Sequence, residues 1–266
     1  RWIDSVLYDN KTMANIFRKS KRDEYLSYRE KKKLKYKVYF LLKVVFFFLL
    51  LYFVISHFLL SSIQIKNVSM KPVFNENDRV FTCPLVYGAT IPFADSRIFG
   101  FSDPHRGDVI VAYPPYYSKP SFIYQLIDPV VRVFSGQKRS IMPGNLPNGT
   151  TPYIIKRIIG VPGDTIRVVN YTAYIKTPES DYFLSESEII EKNYQIHKSP
   201  LPENWDDSFP FSSAHPEFTL EKDRYFVLGD NRGNSNDSRY FGSLDISEIY
   251  SKVIFKYWPL KNIGVP

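Results

Sequence analysis

Cysteine is almost missing from this chain: Cys83 is the only one in 266 residues. No intrachain disulfide can form, so the fold must hold by packing alone. A single thiol also leaves the redox compartment unreadable. Its setting, Phe81-Thr82-Cys83-Pro84, offers no activating neighbour, which fits a strand residue better than a Cys/His nucleophile. Histidine is scarce too: His57, His105, His197 and His215 stand far apart, with no metal-ligand spacing. No metal site is expected. Internal repeats are absent.

Charge imbalance is missing from most of the chain. The net charge is +8, from 35 Lys and Arg against 27 Asp and Glu. Residues 1–37 hold 12 of the basic and 5 of the acidic side chains, leaving 23 against 22 in the remainder. The basicity belongs to one end and not to a folded domain, which argues against a nucleic-acid-binding fold. Lys31-Lys32-Lys33-Leu34-Lys35-Tyr36-Lys37 abuts an apolar run, a setting that suits anionic lipid headgroups.

That run covers residues 38–60 and is dominated by Phe, Leu, Val, Ile and Tyr. As a helix it spans roughly 35 Å, enough for a hydrocarbon core of about 30 Å. It has no polar face, unlike a helix buried in a soluble core, and it is too long for the apolar core of a cleaved signal. Lys43 sits near one end, where its stem can reach the headgroups. The expected organisation is a basic cytoplasmic arm over 1–37, a transmembrane anchor over 38–60 and an extracytoplasmic domain over 61–266.

Beyond the anchor the length allows one large or two small domains with a real core. The 19 prolines are scattered from Pro72 onward, among 20 Tyr and 21 Phe, and argue for strands and turns over a helical bundle. Strands are expected at 78–82, 108–113, 153–159, 165–169, 225–228 and 253–257, with 243–252 a short helix or a strand entry. Turns are marked by Arg106-Gly107-Asp108, Val161-Pro162-Gly163-Asp164 and Gly229-Asp230-Asn231. Two stretches read as loop insertions: 114–152, rich in Pro, Gly and Ser, and 171–224, acidic and irregular.

Directly after the anchor comes Asn67-Val68-Ser69-Met70-Lys71-Pro72. A serine there would do its chemistry at a bilayer surface, provided something takes its proton. A histidine oriented by a carboxylate is the usual base, and His105 and His215 are the candidates, though neither has a motif around it. Lys156 is the stronger one. It lies in Tyr153-Ile154-Ile155-Lys156-Arg157-Ile158-Ile159-Gly160, where alternation puts Ile154, Lys156 and Ile158 on one face and Ile155, Arg157 and Ile159 on the other. Apolar neighbours disfavour the ammonium, and a neutral lysine amine is a competent base near neutral pH. An edge-strand lysine reaching water remains the alternative from these residues alone.

Four pieces in order resemble the type I signal peptidases of bacteria. They are Ser69-Met70-Lys71-Pro72 behind an anchor, Arg106-Gly107-Asp108-Val109-Ile110-Val111, the segment from Lys156 to Asp164, and Gly229-Asp230-Asn231-Arg232-Gly233-Asn234-Ser235-Asn236-Asp237-Ser238-Arg239-Tyr240-Phe241-Gly242. The resemblance implies a mainly β fold with two antiparallel sheets behind one transmembrane helix. It implies Ser69 as nucleophile and Lys156 as general base, in a Ser/Lys dyad needing no cofactor. Ser235 would hydrogen-bond and orient the lysine, Asp237 and Arg239 would form an ion pair, and Asp230 and Arg232 would support the same loop. Met70 would pack against the lysine. Ile65 and Ile155 match residues lining a pocket for small side chains. The oxyanion hole would use the Ser69 N–H. Where some relatives add a hydroxyl two residues upstream, this chain has Asn67, whose amide is the expected second donor. The linking stretch 114–152 is longer than in many relatives and reads as either a surface excursion or a membrane-contacting loop; Tyr113, Tyr116, Tyr117, Phe122 and Tyr124 permit the latter.

The resemblance implies signal-peptide-bearing preproteins as substrates, cut after small residues, in the cytoplasmic (inner) membrane close to the export translocon, with no nucleic acid involved. A LexA-like self-cleaving protein shares the chemistry, but it would carry a DNA-binding domain where this chain has its anchor. A catalytically silent anchored β-domain used for binding or assembly is the reading from another class; such a protein has no need of Ser69, Lys156 and Ser235 together.

Overall fold

The structure, a computed structural model, describes residues 2–89, 97, 100–117, 121–136, 139, 141, 153–191, 194–198 and 213–266, with the backbone alone for 2–27 and for 122, 125, 126, 129, 132 and 133. It divides into two compact units, Arg1–Tyr52 and Phe53–Pro266.

The first unit is one helix. Helix α1 runs Trp2–Val54 without a break at the expected boundary between arm and anchor. Over Tyr28–Leu59 the helical stretch is long and apolar enough to cross a membrane. Phe40, Phe46 and Phe48 are all exposed, as on a helix with no buried stripe.

The second unit is built on strands: β1 Ser61–Gln64, β2 Arg79–Cys83, β3 Val109–Ala112, β4 Ile154–Gly160, β5 Thr165–Val169, β6 Thr172–Lys176, β7 Leu184–Ser185, β8 His215–Thr219, β9 Arg224–Leu228, β10 Leu244–Asp245 and β11 Ile249–Trp258. Among the described residues, three further α-helices are α2 Phe122–Phe134, α3 Glu186–Ile189 and α4 Ser238–Phe241. The strands form two antiparallel sheets, as expected: β1-β2-β11-β3-β4-β9-β10 and β7-β6-β5-β8.

Strand β3 is central and buried on both faces. Its Val109 and Val111 belong to one apolar cluster, with Ile65, Met70 and Phe74, while Ile110 and Ala112 belong to another, with Ile158 and Val227. A third cluster joins the sheets, packing Ile159, Phe226 and Leu228 of the first against Ile166, Val168 and Ile175 of the second. The expected alternation on β4 holds for its isoleucines. Ile154 and Ile158 share one cluster, and Ile155 and Ile159 belong to two others.

Two expectations fail. The stretch 171–224 is no loop insertion, because β6, β7 and β8, three strands of the second sheet, come from it. Its first turn hides in the sequence. Asn170 and Tyr171 take positive φ of 46° and 63°, closing a two-residue hairpin in which Val169 faces Thr172. Such turns usually advertise themselves with Asn-Gly or Asp-Gly, and here the glycine is missing. Strand β8 carries Pro216, which suits only an edge strand, and β8 is an edge. Residues 192–193 and 199–212 of that stretch lie outside the described residues. The second correction concerns 114–152, which contains α2 where an irregular loop was expected. Its prolines and glycines mask a mostly apolar run, broken by Gln125, Asp128, Pro129 and Arg132; residues 118–120, 137–138, 140 and 142–152 lie outside the described residues.

The ambiguous stretch 243–252 is both things it could be. After β10, Asp245 caps a single helical turn, Ile246–Glu248, accepting from Ser247 N at 2.8 Å, while Glu248 returns to Asp245 N at 2.7 Å. Then β11 begins at Ile249, earlier than the expected 253.

Candidate active site

Ser69 stands in a turn between β1 and β2. Lys71 N donates to Val68 O at 3.1 Å and Phe74 N to Met70 O at 2.9 Å, so the chain reverses right behind the serine. Met70 and Phe74, both buried, root the turn in the core. Its far end is pinned by Asp78, which accepts from Asn75 N at 2.9 Å, and by Lys256, which donates to Val73 O at 3.0 Å.

Lys156 comes from β4, opposite Ile110 on β3. Its Nζ donates to Ser69 Oγ at 2.8 Å across 87 residues of sequence. The side chain is buried, with 3% of the residue exposed. Burial lowers the ammonium pKa to about 8; Arg239 adds to the lowering, while Asp237 and Asp230 hold it up. Lysine and serine are thus in contact, with the amine neutral in a substantial fraction just above neutral pH.

The segment after β9 grips the serine turn. Asn231 N donates to Ser69 O at 3.0 Å, and Asn231 Nδ2 donates to Val68 O at 3.1 Å. Gly229 permits this approach: a Cβ there would stand 2.5 Å from Ser69 O and 2.2 Å from Ser235 Oγ.

Three arginine–carboxylate pairs fix this segment in turn. Arg157 binds Asp230 through two bonds of 2.9 and 2.8 Å with both side chains wholly buried, gives a third to Gly107 O at 2.9 Å, and lies 4.0 Å from the centre of the Tyr194 ring. Arg232 binds Glu186 twice at 2.6 Å and reaches Gly229 O and Tyr171 O at 2.9 and 2.8 Å. Tyr194 Oη donates to the same Glu186 at 2.6 Å. Arg239 binds Asp237 at 2.8 and 2.9 Å, and Asp237 also accepts from Gly229 N at 3.1 Å. Burial alone would raise the Asp237 and Glu186 pKa values, but their arginines outweigh it and both are lowered.

Asp237 and Arg239 therefore pair as expected. Asp230 and Arg232 do support the loop, though through partners the sequence reading did not name, Arg157 and Glu186. Ser235 departs from expectation: its Oγ is buried, makes no hydrogen bond among the described residues, and packs against Gly229 instead of orienting Lys156. His105 and His215 are engaged elsewhere. His105 lies 3.4 Å from Ser102 Oγ, and His215 bonds Pro216 O at 2.8 Å and packs on Phe218 and Phe226.

Beside Ser69 opens a cleft of about 20 Å³, bordered by Ile63, Ile65, Asn67, Met70, Tyr153 and Ile155. Space of that order holds one water or one methyl group. Ile65 and Ile155 thus lie where pocket-lining residues were expected, and Met70 faces the same cleft. Asn67 is exposed at its rim, and its amide has no hydrogen bond among the described residues. Asn231, Arg157, Glu186 and Tyr194 escaped the sequence reading. A charge inside Ile-Lys-Arg-Ile was a visible hint for Arg157; Glu186, 46 residues from its arginine, gave none.

Residues 38–258 match the family model described as signal peptidase, peptidase S26. The chain is 28% identical over 198 residues to a signal peptidase I of Pseudomonas aeruginosa, covering 71% of this chain and 57% of that protein. A signal peptidase I of Buchnera aphidicola is 28% identical over 224 residues, covering 78% of this chain and 72% of that one. A signal peptidase IB of Staphylococcus aureus is 36% identical over 115 residues, 41% of this chain and 54% of its own.

Proposed function

This chain belongs to the signal peptidase family, peptidase S26, and from that we propose that it is a membrane-anchored serine endopeptidase that removes signal peptides through a Ser69/Lys156 dyad. The observation that carries the reading is the 2.8 Å contact between a buried, pKa-lowered Lys156 and Ser69 Oγ. Neutral Lys156 takes the hydroxyl proton as Ser69 Oγ attacks the scissile carbonyl. The oxyanion forms between the Ser69 N–H and the Asn67 amide, which stands exposed at the cleft rim. Collapse expels the amine, which leaves with the proton held on Lys156, and an acyl group stays on Ser69. Lys156, neutral again, then takes a proton from water, and the resulting attack releases the acyl group.

Asn231 supports this chemistry by holding the Val68 and Ser69 carbonyls, with Gly229 leaving room for the approach, which fixes the direction of the Ser69 N–H and Oγ. The cleft of about 20 Å³ favours a methyl-sized side chain before the cut and excludes larger ones by volume. The apolar run 38–60, most of which lies in the helical stretch Tyr28–Leu59, is read as the anchor, with the basic residues before it in the cytoplasm and the peptidase unit outside, near the translocon that delivers preproteins. Confining enzyme and substrate to one bilayer raises their effective concentration.

The test is cleavage of a preprotein in detergent by wild type, Ser69→Ala and Lys156→Ala. Both variants fold and lose cleavage; robust turnover by either removes the dyad. A wild-type protein that binds preprotein without cutting it would instead favour the silent binding domain.

A further inference from the structure

Helix α2, in the segment joining β3 to β4, has its apolar side turned outward. At 3.6 residues per turn, Ile123, Ile127, Val130 and Phe134 fall within an arc of about 60°. Ile123 is 61% exposed, Ile127 43% and Phe134 84%, whereas Asp128, far round the helix, is 1% exposed. That is the reverse of a surface helix in water, which buries its apolar stripe and wets its carboxylates. The orientation is held by bonds. Asp128 Oδ1 accepts from Ile141 N at 2.8 Å, and Arg79 of β2 donates to Gly136 O, just past the helix, at 3.2 Å. The helix cannot roll its stripe inward without losing them.

We propose that α2 lies in the surface plane of an anionic bilayer, as a second membrane contact belonging to the peptidase unit itself. The proposal rests on the reading of this chain as membrane-anchored. Charge favours lipid as the cover. Residues 118–140 hold four basic residues, Lys119, Arg132, Lys138 and Arg139, against one acidic residue, the buried Asp128. An exposed apolar stripe in a segment with an excess of basic residues is the composition of an interfacial helix on anionic lipid. Exposed Tyr116 and Tyr124 add rings of the kind that settle at headgroup depth. The consequence is positional: the bilayer restrains the unit at α2 as well as at the anchor, which narrows how the Ser69 cleft meets a membrane-inserted substrate.

The test uses the full chain carrying Cys83→Ser and one spin label, at Ile127→Cys, Phe134→Cys or, as control, Val169→Cys on β5. Each is reconstituted in phosphatidylcholine vesicles with and without phosphatidylglycerol. Labels at 127 and 134 are relaxed by oxygen and shielded from a water-soluble nickel chelate, more so with phosphatidylglycerol; the label at 169 behaves as in water. Nickel access at 127 and 134 equal to that at 169 overturns the proposal. So does an immobile label shielded from both reagents, which marks a protein cover such as a second copy. In the second arm, Ile127→Asp with Phe134→Asp lowers cleavage of a membrane-inserted preprotein about tenfold and leaves a short soluble peptide in detergent cut at the wild-type rate. Unchanged cleavage of the inserted preprotein counts against α2. If wild type cuts neither substrate, the endopeptidase reading has failed, and the spin labels still decide the place of α2.

Discussion

Lowering the pH should switch the enzyme off before it unfolds it. With Lys156 near pKa 8, the neutral amine makes up about 1% of the population at pH 6, about 9% at pH 7 and about 90% at pH 9. The acid limb of kcat/KM should therefore fall about fifty-fold from pH 8 to pH 6, and rise only about two-fold from pH 8 to pH 9. The assay is cleavage of a fluorogenic peptide by the full chain in detergent, with circular dichroism at every pH to confirm folding. The same group makes a stability prediction of definite sign. Its folded pKa of about 8 lies below the unfolded 10.5, so between those values the unfolded chain binds more protons and stability rises with pH. Below pH 8 the buried ammonium costs about 3 kcal/mol, the free-energy equivalent of that gap. Lys156→Met should thus abolish cleavage and gain up to about 3 kcal/mol at pH 7, less what Asp237 and Asp230 lose in attraction, read by urea unfolding in detergent. A flat kcat/KM from pH 5 to 9 in folded protein would refute the reasoning. An acid limb that vanishes on replacing His105 or His215 would refute it as well.

Asn67→Ala should lower kcat about 10²- to 10³-fold with little change in KM, the loss expected for one oxyanion donor; full turnover in a folded variant ends that role. Asn231→Ala should lower kcat at least about tenfold, a misplacement effect, with the pH profile unmoved because Lys156 is untouched. Asn231→Asp should not restore it, since a carboxylate cannot donate to Val68 O. Asp230→Asn leaves Arg157 unpaired where no water reaches it and should cost about 3–5 kcal/mol, seen in the midpoint of denaturant unfolding. A midpoint within error of wild type would show that the pair is not holding the segment.

The parts of this molecule legible in sequence are those whose cause is local. The apolar run needs no partner to be recognised. Strand β5 carries β-branched residues in alternation and was bounded to the residue, while β2, β3 and β4 were placed within one or two. What stayed hidden depends on distant partners. The Asn170–Tyr171 hairpin is held by pairing along all of β5 and β6, so its weak turn signal suffices in the fold and fails on paper. Strand β8, with Pro216 and Glu217 exposed, is a strand only because β5 offers it an edge. The site divides the same way. Ser69 and Lys156 came from motif resemblance, and no local property joined residues 87 apart. Asn231 stood inside a quoted motif, yet its role exists only where Val68 and Ser69 reach it.

The buried ion pairs explain why so much of the site is carried by charge. Replacing a buried arginine–carboxylate pair by apolar residues is often neutral or better for stability, so stability alone is a poor reason to keep three of them around one segment. Position is a better one. An apolar side chain can settle in several rotamers at similar energy, whereas a bidentate pair has one geometry. Arg157 ties the segment to β4, one residue from Lys156, while Arg232 ties it to α3 and Arg239 folds it back on Gly229 through Asp237. Lys156 and the carbonyls behind Ser69 are therefore indexed to the same strand through adjacent residues. A shift of about 1 Å between Ser69 and Lys156 would break a 2.8 Å contact and with it the proton transfer. On this reasoning Arg157→Lys, which keeps the charge but loses the fork, should damage kcat more than it damages the unfolding midpoint.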